Sequence, residues 1–328
     1  MADVTLGAGQ DFGIGMEIER HDAGAGVRSV VKRPVEAILS SPPVGWMTQR
    51  RVQGKCLILA YHGVVPDGEA PAGERSLFVS QSDFANQLDV LAAEADVVSL
   101  DRIDQPGSGR PRVAITIDDA YRGAVDVGVR ELAARALPAT IFVAPGRLND
   151  HVFWWDALLY GSGKLDDKLR NHALRNLGGV DERVRAWAAR AAIPACDQVP
   201  AYARTATSAE LSEALKFEGI TLGSHSWSHP NLASLPMAEV VSEVRRSREW
   251  LRAEFGDKVI DWLAYPYGME SDVARAAVAE ASYAGALCID GGWHHAGEVS
   301  PFARPRFSIG ARLTVPGLRL RLQGAMLS

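Results

Sequence analysis

Short apolar runs alternate with amphipathic segments along most of the chain after about residue 55. Residues 56–61, Arg112–Ile117 and Ala139–Val143 are continuous apolar runs with the length of buried strands. Segment 122–136, between the last two, has the length and composition of a helix. Repeated strand–helix–strand units favour a mostly parallel sheet with its helices packed outside. The pattern therefore predicts an α/β fold, open or closed into a barrel.

The alternation divides the chain into unequal parts. Residues 1–54 are weakly patterned and are interpreted as an N-terminal extension, followed by a barrel-like domain over 55–310. Within that domain, 150–206 is charged and rich in Arg and Ala, which predicts a helical insertion in a single domain. Residues 311–328 are predicted to be a C-terminal amphipathic helix.

Composition narrows the class of protein. Of 328 residues, 47% are hydrophobic and 23% are charged, enough to bury a large core. The net charge of −5 lacks the basic excess expected for a nucleic-acid partner. Three scattered cysteines give neither a disulfide framework nor a paired metal motif, which favours a reducing compartment. We find no secretory signal and no run of ~18 apolar residues, and we therefore expect a cytoplasmic protein without a transmembrane segment.

Polar, chemically capable residues follow the apolar strands directly. His62, the pair Asp118 and Asp119, and His225 each stand at a predicted strand end. In parallel α/β folds, ligands bind at the carboxyl ends of the strands. Adjacent side chains at a strand end point to opposite sides, so one carboxylate can bind a metal while the other faces a reacting water. The alternative for the Asp pair is a solvated turn or an N-cap of helix 122–136.

His225 and His229 form a pair spaced four residues apart. On one helical turn, this spacing brings two imidazoles within reach of one ion. Imidazole suits zinc, iron, cobalt or nickel, so the ligand type does not choose among them. Two His and one Asp leave coordination positions open for water and substrate. The alternative is that both rings serve as caps or as hydrogen-bond partners in the core.

Three motifs resemble those of the polysaccharide deacetylases, carbohydrate esterase family 4, with its NodB-homology domain. Residues 116–120, Thr-Ile-Asp-Asp-Ala, resemble the first motif, with Ala120 in place of the usual Gly. Residues 225–229 resemble the second motif, and 264–268 resemble the third in its Tyr-Pro-Tyr-Gly variant. Order and spacing match as well, over about 57–306. The implied fold is a distorted (β/α) barrel with mostly parallel strands.

The resemblance implies a role for particular residues. Asp119, His225 and His229 would bind one divalent metal ion, with zinc expected and iron, cobalt or nickel as alternatives. Asp118 would be the general base that takes a proton from the attacking water. The backbone N–H of Tyr267 would help to bind the oxyanion.

Two parts of the family pattern are missing. The third motif usually begins with an Arg that orients the base, and Ala264 stands there instead. Arg306 is our candidate replacement, with a surface Arg as the alternative. The late Leu-x-x-His motif, which holds the general acid, is also missing. His62 resembles the Tyr-His motif of a branch whose acid comes from the N-terminal side; its alternative is a core histidine, and the rival acids are His294 and His295.

Aromatic residues are the candidate substrate contacts. Trp154 and Trp155 open the insertion and can stack on sugar rings, and Tyr265 lies in the third motif. The alternative is that both Trp anchor the insertion to the barrel.

The predicted function is hydrolysis of the acetamido group of N-acetylated sugars in a polysaccharide, an oligosaccharide or a sugar-linked precursor. One alternative is a metal-dependent amidase that acts on a small ureide, an imide or a formylated aminosugar lipid. Another alternative is a glycan-binding barrel without catalytic activity.

Overall fold

The computed structural model describes residues 52–324, except 53, 72, 73, 75, 106–108 and 290. The predicted N-terminal extension over 1–54 therefore lies outside the described residues, apart from Val52 and Gly54. The last four residues of the predicted C-terminal helix also lie outside them.

The strands form one large, mostly parallel sheet and a two-stranded sheet. In chain order they are β1 (Lys55–Tyr61), β2 (Gly63–Val65), β3 (Phe78–Ser80), β4 (Asp96–Val97), β5 (Arg112–Ile117), β6 (Ala139–Val143), β7 (Ile220–Ser224), β8 (Val259–Ala264), β9 (Gly285–Leu287), β10 (His294–His295) and β11 (Phe307–Ser308). The large sheet runs β10-β1-β5-β6-β7-β8-β9, with β11 also paired to β1 and β4 to β5. All pairs in it are parallel except β1 with β10. The sheet curls into a half-barrel, which confirms the predicted fold class.

Helices surround this half-barrel. They are α1 (Gln81–Glu94), α2 (Val129–Ala133), α3 (Trp154–Ser162), α4 (Asp167–Asn171), α5 (Asp181–Arg190), α6 (Ser208–Ala214), α7 (Met237–Phe255), α8 (Asp272–Glu280) and α9 (Val315–Leu322). A π-helical stretch, Ala124–Gly128, leads into α2, so the segment predicted as one helix over 122–136 is wound in two ways. The predicted C-terminal helix is present as the shorter α9.

The strands β5 and β6 coincide with the predicted runs because both of their faces are buried. β1 shows the reason residue by residue. Leu57, Leu59 and Tyr61 pack outward in the core beneath the helices, whereas Cys56 and Ile58 face the interior of the half-barrel. A strand that is covered on both sides needs a continuous apolar run rather than an alternating one.

The insertion between β6 and β7 has an aromatic core of its own. It contains the helices α3, α4 and α5, and α6 follows with the capping box of Thr207 and Glu210. Phe153, Trp154 and Trp155 are buried in this core beside Tyr121 from the main domain. The insertion is therefore packed directly onto the edge of the sheet where β5 ends.

Within the described part of the chain, none of the helices has both the length and the apolar character required to cross a bilayer.

Candidate active site

Four of the candidate residues follow strands that end at the same edge of the sheet: His62 after β1, Asp118 and Asp119 after β5, and His225 after β7. β1 and β5 pair in parallel register up to Tyr61 and Ile117, and the N–H of Asp118 then donates to the Tyr61 carbonyl at 2.9 Å. Across the sheet, the N–H of His225 donates to the Val143 carbonyl at 2.8 Å. Since these bonds continue the parallel ladder, the residues after β1, β5 and β7 are brought together at the carboxyl edge, as predicted.

The side chains of Asp119, His225 and His229 meet at one point. The Oδ1 of Asp119 lies 3.1 Å from the Nε2 of His229 and 3.5 Å from the Nε2 of His225. The two Nε2 atoms are 3.2 Å apart, and all three residues are buried. One ligand atom from each residue lies within 4.8 Å of the others.

This set fits a divalent cation. The Nδ1 of His225 lies 2.7 Å from the Ala264 carbonyl, so it carries the proton and leaves the Nε2 lone pair free. The buried Oδ1 of Asp119 receives no hydrogen bond within the described structure. Burial lowers the pKa of His229 to about 3 and also lowers the pKa of His225, which keeps both imidazoles neutral. Two neutral imidazoles and an unsatisfied buried carboxylate oxygen are the donor set of a metal site.

Asp118 points away from this set and pairs with Arg306. The Nη1 and Nη2 of Arg306 donate to its Oδ1 and Oδ2, both at 2.7 Å. Arg306 is completely buried, and its Nη1 also donates to Thr116 Oγ1 at 3.1 Å. Burial alone would raise the pKa of Asp118, but the Arg306 guanidinium outweighs it and holds that pKa below its ordinary value. Arg306 thus lies where the missing third-motif Arg would be needed, beside the candidate base.

His62 is the histidine beside Asp118. Its Nε2 lies 3.9 Å from Asp118 Oδ2, and its side chain is almost wholly buried. Burial lowers the pKa of His62, and the carboxylates of Asp118 and Asp119 oppose that shift.

The rival acids lie at the other end of β1. His294 and His295 form β10 and pair with Cys56 and Lys55, whereas His62 follows the last residue of β1. Seven strand residues span roughly 20 Å. This geometry excludes both rivals as partners of Asp118.

Tyr267 connects the third motif to the insertion. Its ring packs edge-on against His229 at 4.7 Å between centroids. Its hydroxyl donates to the Gly179 carbonyl at 2.9 Å and accepts from Trp154 Nε1 at 3.0 Å. The oxyanion role of its backbone N–H stays a prediction.

Left-handed backbone is concentrated at this edge. Asp119, Ala120, Ser226, His229 and Tyr267 all have φ between 50° and 69°. Such non-glycine conformations cost about 1–3 kcal/mol each and persist only where the surroundings impose them. Position 120 has φ 50°, which explains why the family motif prefers Gly there and why Ala is accommodated only with strain.

The predicted substrate contacts are all buried. Trp155 stacks on Phe153 at 4.3 Å and lies 5.2 Å from the His229 ring, and Trp154 is equally enclosed. This placement favours the alternative in which both Trp anchor the insertion. Tyr265 is a correction: its side chain is 0% exposed and its hydroxyl donates to the Phe302 carbonyl, so it belongs to the core beneath the third motif.

A buried Tyr121–Asp156 pair was not predicted from the sequence. The hydroxyl of Tyr121 donates to Asp156 Oδ2 at 2.6 Å and accepts from Trp155 Nε1 at 2.9 Å. Burial raises the pKa of Asp156 to about 7. The signal in the sequence was an acid placed directly after three apolar aromatic residues, where a charge is costly without a partner.

The chain also matches a known protein family. A family model described as polysaccharide deacetylase matches residues 106–286, more than half of the 328-residue chain. Among curated proteins, none matches the sequence significantly.

Several solved structures share the fold. A Streptococcus pyogenes deacetylase, PplD, in complex with acetate aligns with a TM-score of 0.57 and 17% identity, over 82% of this chain and 99% of that chain. IcaB from Ammonifex degensii aligns with a TM-score of 0.58 and 15% identity, over 82% and 97%. A de-N-acetylase from Aggregatibacter actinomycetemcomitans aligns with a TM-score of 0.53 and 18% identity, over 79% and 96%. With the family model and the three motifs at one edge of a NodB-like half-barrel, this chain belongs to the polysaccharide deacetylase family.

Proposed function

We propose that this chain hydrolyses the acetamido group of N-acetylated sugars, using one divalent metal ion held by Asp119, His225 and His229. The observation that carries the proposal is the convergence of three buried ligand atoms beside a second carboxylate that points elsewhere. A bound cation supplies Lewis acidity for the carbonyl and lowers the pKa of the attacking water.

Asp118 acts as the general base in this proposal. Its pKa lies below the ordinary range, so the carboxylate is ionised at neutral pH and carries no proton when the attacking water arrives. The bidentate contact with Arg306 fixes the orientation of the carboxylate and leaves the remaining lone pairs for the water proton. Arg306 is thus a positioning residue, in place of the Arg that the third motif lacks.

His62 acts as the general acid for the departing amine. Because burial lowers its pKa, the resting imidazole is neutral, and a proton gained beside Asp118 is held weakly and passed on readily. The N–H of Tyr267 is proposed to stabilise the oxyanion, a contribution that depends on a donor fixed in advance. The left-handed φ of 60° at Tyr267 gives its peptide group one defined direction.

Metal analysis combined with acetate release tests this function. The purified chain should hold about one equivalent of metal and release acetate from an N-acetylglucosamine oligomer or a sugar-linked precursor, and chelation followed by zinc addition should abolish and then restore release. Allantoin serves as the competing substrate. Turnover of allantoin without acetate release would favour the ureide amidase, and a chain that holds no metal and turns over neither substrate would refute the proposal.

A further inference from the structure

The loop formed by residues 225–229, which we call the His loop, is conformationally unfavourable by itself. Ser226 and His229 have φ of 62° and 59°, a conformation that side chains other than Gly adopt only with strain. His229 also lacks the usual support of a ligand histidine, since its buried Nδ1 has no hydrogen-bond partner among the described residues. The position of the His229 imidazole therefore depends on the loop backbone and on the aromatic rings packed against it, rather than on a hydrogen bond to its Nδ1.

Glu243, in the middle of α7, accepts three hydrogen bonds from this loop. Its Oε2 accepts from the N–H of Trp227 at 3.0 Å and from the N–H of Ser228 at 2.8 Å. Its Oε1 accepts from the hydroxyl of Ser228 at 2.8 Å. Hydrogen bonds to a carboxylate are about twice as strong as neutral ones. α7 packs along β7 and β8, so this acceptor is carried on a rigid element.

The carbonyls of the same two residues are held from the opposite side. Gly146 N–H donates to the Trp227 carbonyl at 2.8 Å, and Arg147 Nε donates to the Ser228 carbonyl at 2.9 Å. A Cβ at Gly146 would lie 2.8 Å from the Trp227 indole nitrogen, so this close approach requires glycine. Trp227 and Ser228, which lie between the two histidines, are thus each held at both the backbone N–H and the backbone C=O.

We propose that Glu243 is a positioning residue of the metal site, which sets the affinity for the cation by holding the His loop in its left-handed conformation. This inference rests on the proposed metal-dependent function. Glu243 touches neither the ligand atoms nor a substrate, and it acts through the placement of His229. Loss of a hydrogen-bond partner that orients a ligand typically weakens metal binding about 10–100-fold, and we expect a change of the same order when the loop that carries the ligand is released.

The test measures zinc affinity in the full-length chain by competition with a chromophoric chelator. Glu243→Ala should raise the zinc Kd about 10–100-fold. Glu243→Gln, which keeps an oxygen for the two N–H groups but loses the charge, should raise it only a few-fold. Glu249→Ala is the matched control, because Glu249 is exposed on the same helix and its removal should leave the Kd unchanged.

A second readout separates positioning from a general loss of stability. With Co²⁺ as the probe, the visible absorption spectrum should change in Glu243→Ala and remain that of the unmodified chain in Glu249→Ala, since only the former alters ligand geometry. An unchanged Kd and spectrum in Glu243→Ala would overturn the inference while leaving the proposed function intact. If Glu243→Ala does not fold, an unchanged Kd in Glu243→Gln overturns it. If the unmodified chain binds no divalent metal, both proposals fall.

Discussion

Two Arg–Asp pairs, built from one short segment, lie at opposite edges of the sheet. Arg304 donates to Asp104 with Nη1 at 2.7 Å and Nη2 at 2.5 Å, and Arg306 donates to Asp118 with both at 2.7 Å. The geometry is bidentate in both. The difference is burial, since the Asp104 side chain is 41% exposed and that of Asp118 only 2%.

The surroundings of the two pairs differ as much as their burial. Near Arg304, the neighbouring His294 has a hydrogen-bond partner, since its Nε2 lies 3.3 Å from the thiol of Cys56. Near Arg306, Asp119 has an unsatisfied carboxylate oxygen and a left-handed backbone. Reactive residue types therefore occur at both edges, and Arg304 Nε is itself buried without a hydrogen-bond partner. Among these groups, however, left-handed backbone accompanies an unsatisfied atom only at the carboxyl edge. Such a combination is a feature of functional sites rather than of structural ion pairs.

Replacing the two carboxylates gives the largest expected contrast. Asp118→Asn should retain the metal and lower the rate of acetate release about 10²–10⁴-fold, because an amide cannot accept the water proton. Asp104→Asn should keep the rate of acetate release within about twofold of the unmodified chain, because the Asp104–Arg304 pair lies away from the candidate site and the Asp104 side chain is 41% exposed. Metal content and acetate release are measured on both variants, and a fully active Asp118→Asn would refute the base assignment.

Replacing His62 at the carboxyl edge and His294 at the opposite edge extends the comparison to proton donation. His62→Gln should lower turnover by about 10²-fold because the amine then departs without a positioned acid. His294→Gln, which changes a ring at the far end of β1, should leave turnover near that of the unmodified chain. A substrate with a better leaving group should recover much of the loss in His62→Gln only. Equal losses in the two variants would contradict the assignment of His62.

Variants of Arg304 and Arg306 should differ in the free energy of unfolding as well as in the rate of acetate release. Arg306→Met leaves Asp118 buried without its partner and should lower the free energy of unfolding by about 3–5 kcal/mol. Arg304→Met should lower it less, because the Asp104 carboxylate left behind is 41% exposed and stays solvated. Turnover should fall about tenfold in Arg306→Met alone, with the metal retained.

The pH dependence of that stability difference has a defined sign. Because Arg306 holds the pKa of Asp118 below its ordinary value, the stabilisation is complete above about pH 4 and is lost as pH falls towards the lowered pKa. Denaturant unfolding at pH 7 and at about pH 3 should therefore show a smaller difference in the free energy of unfolding between the unmodified and Arg306→Met chains at the lower pH. A gap that widens in acid would contradict the pair as described.

The carboxyl edge was largely predictable because its signals are local. A continuous apolar run specifies a strand buried on both faces, and the polar residue after it specifies what the edge presents, as at Asp118 and His225. The role of Arg306 was predicted because the third motif lacks its usual Arg, and Ala264, which stands there, cannot orient a carboxylate. Its side chain reaches Asp118 because β11, which begins at Phe307, pairs with β1.

The remaining residues depend on packing that no local pattern contains. His294 stayed a rival because its Gly-rich surroundings do not indicate that it pairs antiparallel with the start of β1. Trp154 and Trp155 have the same sequence whether they face a sugar or a core. Glu243 resembles any solvated acid on an amphipathic helix, and only the fold brings the His loop to it.

The smallest expected effect concerns Cys56, which lies where β1 begins, at the edge opposite the candidate site. We call this the amino edge, and the reactivity of Cys56 tests whether it is chemically inert. Its thiol is buried, and burial raises its pKa to about 11, so the nucleophilic thiolate is scarce at pH 8. Iodoacetamide at pH 8 should therefore modify the half-buried Cys196 well before Cys56, as followed by peptide mass spectrometry. Cys56→Ala should leave acetate release unchanged. Rapid labelling of Cys56 would mean that His294 withdraws its proton, and the amino edge would then hold a reactive pair of its own instead of a structural one.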